Sequence, residues 1–299
     1  MIKFQEIEIK DKEWMEPLIV ASDMRACHQN FTNMFAWSKI LEFRVAKVNN
    51  HLVVKGATEE DQHYLYPAGE GDIKKVIETM MQDSVDCGHS FKILGVLPEN
   101  IEELNSLFPG EFKYEEMRDS SDYVYYLDKL VKLSGNKLHS KRNHINYFKK
   151  NYTWNFELIS PENFEECWEM NKKWCIDNDC KEDEFLYREY CAVRRCFDNY
   201  WALGLGGGLI RKDGKVIAFT IGERLNSDSY VIHIEKAFSE IRGAYQMINR
   251  EYAEYIKQTY PHLTYVNREE DMGYEGLRKA KLSYYPDKME EKYSAKHIK

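Results

Sequence analysis

The 299-residue sequence contains no apolar run near the roughly 20 residues needed to span a bilayer. Its opening residues, Met1-Ile2-Lys3-Phe4-Gln5-Glu6, lack the apolar stretch of a signal peptide. A cytoplasmic protein without a transmembrane segment is therefore expected. Cysteine is sparse: seven residues, none in a C-x-x-C pair. Reduced, mostly buried thiols are expected. No metal is expected either, because zinc sites use closer Cys and His pairs. There is no H-E-x-x-H and no serine nucleophile elbow. Positive charge is also in deficit, with 42 Lys+Arg against 50 Asp+Glu and a net charge of −8. That excludes a surface that coats nucleic acid or anionic membrane non-specifically.

What is present builds a core. Hydrophobic residues make up 43% and charged residues 31%, which rules out disorder as the main state. Charge is unevenly divided. Residues 1–128 hold 13 basic and 24 acidic side chains, and residues 129–299 hold 29 and 26. The halves therefore differ in sign, at −11 and +3. Two domains are expected, at 1–122 and 123–299.

The first half alternates short strands and helices. Asn49-Asn50 reads as the turn of a hairpin between 43–48 and 51–55. Asp72 reads as the cap of a helix with Ile73, Val76, Ile77, Met80 and Met81 at helical spacing. Tyr123–Leu127 is an aromatic strand leading into a stretch, Lys129 to Phe156, without a single acid. Within it 135–148 reads as a helix. Lys137, Lys141 and Arg142 on that stretch suit an anionic or phosphate-bearing substrate, or a solvated basic face. Further on, Ser160-Pro161 opens a helix, and another covers about 183–200. Gly204–Gly208 reads as a bulged strand or mobile loop. Asp213-Gly214 turns a second hairpin, Tyr230–Ala237 is a strand, Ala244–Lys257 is a helix and Leu263–Asn267 a strand. Strands interleaved with helices in both halves mean an α/β fold.

The strand–loop–helix from Tyr230 to Lys257 is the most informative segment. Gly243 at the helix start lets backbone N–H groups approach a phosphate, and Arg242 adds charge. Glycine at a helix start also serves simple geometry.

These residues resemble the core of the GNAT acyltransferase superfamily: the strand with Glu235, the Arg242-Gly243-Ala244 turn, the amphipathic helix and the Tyr265-Val266-Asn267 strand. Two longer segments resemble the phosphatidylglycerol lysyltransferase C-terminal domain family. They run from Tyr123 through Gly135, Lys137, Leu138, Lys141, Arg142 and Ile145, and from Val266 through Asp271, Gly273, Leu277, Arg278 and Lys281. The resemblance implies tandem GNAT-like domains, each a mixed, mostly antiparallel sheet flanked by helices. It implies an acyltransferase or aminoacyltransferase acting on an amine acceptor. The donor would be acyl-CoA or CoA-linked, with aminoacyl-tRNA as the alternative. A catalytically silent binding module is the other reading, and the oligomeric state stays open. The implied donor-binding residues are Ile234, Lys236, Ala237, Ile241, Arg242, Gly243, Ala244, Tyr245, Gln246 and Asn267.

An amine must lose a proton before it attacks a carbonyl. Glu235 and His233 share one strand face and are the base candidates. A salt bridge for Glu235 and a half-buried hydrogen-bonded role for His233 stand as the alternatives. Tyr284, placed by the family's Ala-x-x-x-Tyr spacing from Ala280, could protonate the leaving group or simply pack. Glu269-Glu270-Asp271 reads as a solvated acidic loop or a site for an ammonium or metal.

Overall fold

Segments that alternate apolar and polar residues are extended, and those with apolar residues every three to four positions are helical. The computed structural model describes residues 1–57 and 62–298. In chain order the elements begin with β1 (Gln5–Glu6), α1 (Lys12–Ser22), α2 (Phe31–Trp37), β2 (Arg44–Val48), β3 (His51–Ala57), β4 (Gln62–Leu65), β5 (Ala68–Gly69), α3 (Ile73–Cys87), β6 (Lys92–Val96), α4 (Pro98–Leu107), β7 (Phe112–Glu116) and β8 (Asp122–Tyr126). They continue with α5 (Leu127–Lys132), α6 (His139–Asn151), β9 (Trp154–Leu158), α7 (Phe164–Asp177), α8 (Glu184–Asp198), α9 (Tyr200–Leu203), β10 (Gly206–Lys212), β11 (Lys215–Arg224) and β12 (Ser229–Ala237). The chain ends through α10 (Ala244–Thr259), β13 (Tyr265–Asn267), α11 (Glu275–Leu282), β14 (Lys288–Glu290) and β15 (Tyr293–His297).

Two sheets result. One runs β1-β2-β3-β4-β6-β15-β7 with β5 on β3, and the other runs β14-β8-β13-β12-β11-β10-β9. Both repeat one motif. Three antiparallel strands lead into a helix, and the next strand returns parallel to the third: β2-β3-β4-α3-β6 and β10-β11-β12-α10-β13. The expected α/β class, with two mixed and mostly antiparallel sheets flanked by helices, is what the chain adopts. By compactness it divides into Met1–Tyr123 with Glu270–Arg278 and Met289–Lys299, and Val124–Glu269 with Lys279–Lys288. These units are not contiguous halves, because β15 returns to pair between β6 and β7.

The turn residues behave as their chemistry demands. Asn49 and Asn50 both take positive φ, 45° and 60°, and Asp213-Gly214 take 50° and 80°. Each pair closes a two-residue hairpin. The Asp72 side chain accepts a hydrogen bond from Lys75 N at 3.2 Å, and α3 buries Val76, Ile77 and Met80.

Three expectations need correction. The glycines from Gly206 to Gly208 are a strand and not a mobile loop: they pair with Gly222, Ile221 and Thr220, and the register shift of β10 falls later, between Ile210 and Arg211, while a Cβ on Gly207 would lie 2.6 Å from the Ile159 side chain and the Thr220 carbonyl. The helix expected at Pro161 begins at Phe164, after a turn in which Asn163 Oδ1 accepts from Ser160 N at 2.8 Å. Cys175 and Cys180 form a disulfide, because the chain turns back past the end of α7 and brings their Cα atoms to 5.1 Å. Among the described residues no helix is long and apolar enough to cross a membrane.

The first unit holds a buried charge pair. Lys292, 2% exposed, donates from Nζ to Asp122 Oδ1 at 2.6 Å. Cys27 N and Sγ also donate to Asp122, at 2.6 and 3.1 Å. Removing the ammonium leaves a carboxylate uncompensated in the core. Lys292→Met is therefore expected to lower unfolding free energy by about 3–5 kcal/mol, read from urea denaturation. A loss under about 1 kcal/mol would mean that the pair behaves like a surface ion pair.

Candidate active site in the second unit

The site grows from β12. The expected alternation is interrupted there: the pairing with β11 shifts register at His233, which has no partner opposite it, so His233 and Glu235 are not placed on one face by simple alternation. The two residues that follow β13 answer them. Arg268 Nη2 donates to Glu235 Oε1 at 2.8 Å, and Glu269 Oε1 lies 2.8 Å from His233 Nδ1. The turn that presents them is fixed by Asn267, buried, whose Oδ1 accepts from Glu269 N at 2.7 Å.

His233 has carboxylates at both ring nitrogens, with Glu223 Oε1 3.1 Å from Nε2. Burial alone would lower its pKa, but the two carboxylates raise it to about 9. At neutral pH the ring is an imidazolium with both N–H groups engaged. It has no lone pair with which to accept a proton. Glu235 differs. Arg268 holds one oxygen and Asn249 Nδ2 donates to the other at 3.1 Å, so the carboxylate is fixed in place and remains an acceptor.

Lys141 and Tyr284 complete the cluster. Lys141 Nζ lies 4.2 Å from the centre of the Tyr284 ring and 2.6 Å from Ser283 Oγ. Burial and then Arg268 lower its pKa to about 8, against the pull of Glu235. The Arg268 guanidinium stands 4.9 Å from the same ring. Burial raises the Tyr284 pKa, opposed by Arg268, so its hydroxyl keeps its proton. Two cations thus flank one aromatic ring beside one carboxylate.

Among the described residues, two buried atoms of this cluster have no hydrogen-bond partner: Arg268 Nη1 and Asn249 Oδ1. One is a donor and one an acceptor, and each belongs to a residue that grips Glu235. Buried polar atoms are nearly always paired. Neither residue was assigned a role from the sequence, although Arg268 lies inside the Val266–Asp271 segment that carries the resemblance.

The remaining donor-binding candidates are distributed around β12 and the start of α10. β13 pairs with β12 only at Ser229–Val231, so among the described residues it leaves Ile232–Ala237 without a partner on that side. Ile234 and Ala237 are buried on this stretch. Lys236 Nζ donates to Glu189 at 2.6 Å and sits 3.8 Å from the Trp174 ring centre. Tyr245, its pKa raised mainly by burial, accepts from Trp174 Nε1 at 3.3 Å. Ile241 O accepts from Ala244 N at 3.1 Å, Gln246 is half-buried in the first turn of α10, and Arg242 is exposed. Arg242 packs on the Tyr147 ring at 4.3 Å. Gly243, at φ +93°, lies against α6: a Cβ there would stand 2.6 Å from the His144 carbonyl oxygen. Its glycine therefore answers a helix-packing demand that the sequence did not disclose.

The proposed anion patch does not converge as a unit. Of its three members only Lys141 faces Glu235. Lys137 lies 5.3 Å from the Tyr285 ring centre, and Arg142 Nη1 donates to the carbonyls of Leu133 and Gly135. The acidic loop is likewise engaged: Glu269 on His233, and Asp271, fully buried, on Tyr123 and Arg278. One metal-like donor set occurs in the first unit, where ligand atoms of Cys27, Asp122 and Glu270 lie within 4.8 Å of one another. The Lys292 ammonium already sits among them, 2.6 Å from Asp122, 3.5 Å from Cys27 Sγ and 3.8 Å from Glu270. That cation fills the role a metal would take.

The profile of the family described as phosphatidylglycerol lysyltransferase, C-terminal, matches residues 21–296. A conserved protein of unknown function from Bacteroides thetaiotaomicron is 37% identical, with a TM-score of 0.93 over all of both chains. L-PGS from Bacillus licheniformis shares the fold at 14% identity and a TM-score of 0.70, covering 99% of this chain and 94% of that one. An uncharacterised protein of Mycoplasmoides gallisepticum is 26% identical over 203 residues, which are 66% of this chain and 62% of that protein.

The His233 clamp has a consequence for stability. Its folded pKa of about 9 lies above the ordinary 6.5. Its contribution is therefore complete below pH 6.5 and is lost as pH rises through 9. Thermal melting from pH 6 to 10 is expected to show this decline, and Glu269→Gln should make it shallower. An unchanged slope in Glu269→Gln would refute the clamp.

Proposed function

Since the chain belongs to the phosphatidylglycerol lysyltransferase C-terminal family, we propose that it is a transferase of acyl or aminoacyl groups working at the Glu235 cluster. The family's named reaction moves an aminoacyl group, and this favours an aminoacyl donor, as in a charged tRNA, over acyl-CoA. The observation that carries the reading is Glu235: a carboxylate held on both oxygens by Arg268 and Asn249, beside Lys141 and Tyr284. An acyl-CoA donor is the second reading. The unpartnered Ile232–Ala237 edge of β12 favours it, since an extended amide-bearing arm could pair there.

The chemistry follows from the charges. The acceptor's amine or hydroxyl attacks the donor carbonyl, and its proton passes to Glu235. The new N–C or O–C bond forms as the donor's ester or thioester bond breaks. Lys141, an ammonium below about pH 8, stabilises negative charge on the carbonyl oxygen. Tyr284 keeps its proton and can give it to the leaving oxygen or sulfur.

Glu235→Asp retains the countercharge for Arg268 but withdraws the carboxylate. It is expected to lower kcat by about 10²–10³-fold with little change in melting temperature, assayed with radiolabelled aminoacyl-tRNA and, in parallel, acyl-CoA. Wild-type turnover in this variant would remove Glu235 as the base, and no transfer from either donor by the parent protein would end the reading. A second expectation concerns pH. Transfer should fall as pH passes about 8, where Lys141 loses its proton. Lys141→Arg, which stays charged, should carry that limb to higher pH.

A further inference from the structure

Adjacent residues on two helices face two different places. Lys141 and Asn249 turn toward Glu235. Their chain neighbours Arg142 and Arg250 line a separate concavity of about 440 Å³, bounded by α5, α6 and α10. Lys132 and Lys149 complete its cationic wall, over a floor of Val131 and Ile145. Among the described residues no carboxylate lines it.

The charge there is under-compensated. Asp128 is shared by Lys132, at 2.7 Å, and Lys257. Glu251 is shared by Lys149, at 3.2 Å, and Arg250, at 2.7 Å. Even with Glu254, 3.9 Å from Arg250, five cations meet three carboxylates among the described residues, where Arg142 bonds carbonyl oxygens. Part of this charge caps α5, since Arg142 and Arg250 reach the Leu133 and Val131 carbonyls at its C-terminus. Capping employs one donor nitrogen of each arginine and neither lysine. Ser134 and Asn146 add an exposed hydroxyl and amide to the wall. Concentrated positive charge in a concave surface attracts and holds anions. The volume and apolar floor match a small organic molecule better than a bare ion.

We propose that this pocket binds a phosphate monoester carried on a small organic body, at a site separate from the Glu235 cluster. The phosphate would lie among Lys132, Arg142, Lys149 and Arg250, with its organic part on Val131 and Ile145. Because α6 and α10 present both sites, occupancy here would bear on where Lys141 and Asn249 stand.

The test is calorimetric titration of the full chain with AMP, glycerol 3-phosphate and inorganic phosphate, at about 0.15 M salt. At least one ester is expected to saturate and to bind more tightly than inorganic phosphate. Preference for AMP would point to a nucleotide, and preference for glycerol 3-phosphate to a lipid-type headgroup. Lys149→Glu and Lys132→Glu should each weaken that ester by about tenfold or more. Lys137→Glu makes the same charge change outside the pocket and should alter affinity by less than about twofold. Should the glutamate variants melt early, Asn146→Asp applies the same repulsion from an exposed position. No saturation by either ester up to about 10 mM overturns the proposal. So does equal weakening by Lys137→Glu, and so does binding of inorganic phosphate as tight as that of both esters.

Discussion

Four consecutive charged residues, Arg268 to Asp271, are each held by an opposite charge. Arg268 grips Glu235, Glu269 grips His233, Glu270 lies near Lys292, and Asp271 takes two hydrogen bonds from Arg278. Asp271 is fully buried and the other three are half-buried, where an unpaired charge carries a desolvation cost. Each must therefore find its partner, and this requirement fixes the chain after β13 residue by residue. Asn267 and the positive φ of Glu269 and Met272 shape the turn so that all four can do so. A segment that reads as a polar loop thus sets the geometry of the strand beside it.

The arrangement separates two groups that look equivalent on paper. His233 and Glu235 are two residues apart on one strand, with a register shift at His233. Two carboxylates convert His233 into a buried cation, and one guanidinium with one amide keeps Glu235 an oriented acceptor. The difference lies wholly in the partners. Arg268 and Lys141 then crowd together beside Tyr284, and their repulsion, added to burial, lowers the Lys141 pKa toward neutrality. A lysine that titrates near working pH is a chemical asset, whereas one near 10 is a fixed charge.

Local signals were readable in the sequence, and distant partnerships were not. Asn49-Asn50 and Asp213-Gly214 announce their turns because positive φ is a property of the residues themselves. Asp72 and the spacing of Val76, Ile77 and Met80 announce α3 for the same reason. Glu235, Lys141 and Tyr284 were named from strand alternation, charge and family spacing, and the fold brings them together. Arg268 and Asn249 were not named, since nothing local says that residues 33 and 14 positions from Glu235 will close on its two oxygens. Gly243 reads as a phosphate approach because the carbonyl of His144, almost a hundred residues earlier, leaves no local trace. The Gly206–Gly208 run misled in the same way: its small residues serve Ile159 and Phe156 across the sheet, not a mobile loop.

The role of Gly243 bears on how any donor is held. In a strand–turn–helix cradle the glycine leaves room for a ligand's phosphate. Here the glycine is required by α6, whose His144 carbonyl oxygen would stand 2.6 Å from a Cβ. The first turn of α10 is consequently anchored to a helix whose next faces carry Lys141 and Arg142. Beside β12 the cations Lys141 and Arg268 come from α6 and from the loop after β13, and Arg242 stands exposed at the helix start. Side chains at fixed points suit a donor whose phosphates lie apart from the reacting carbonyl better than one whose pyrophosphate must sit on a helix terminus.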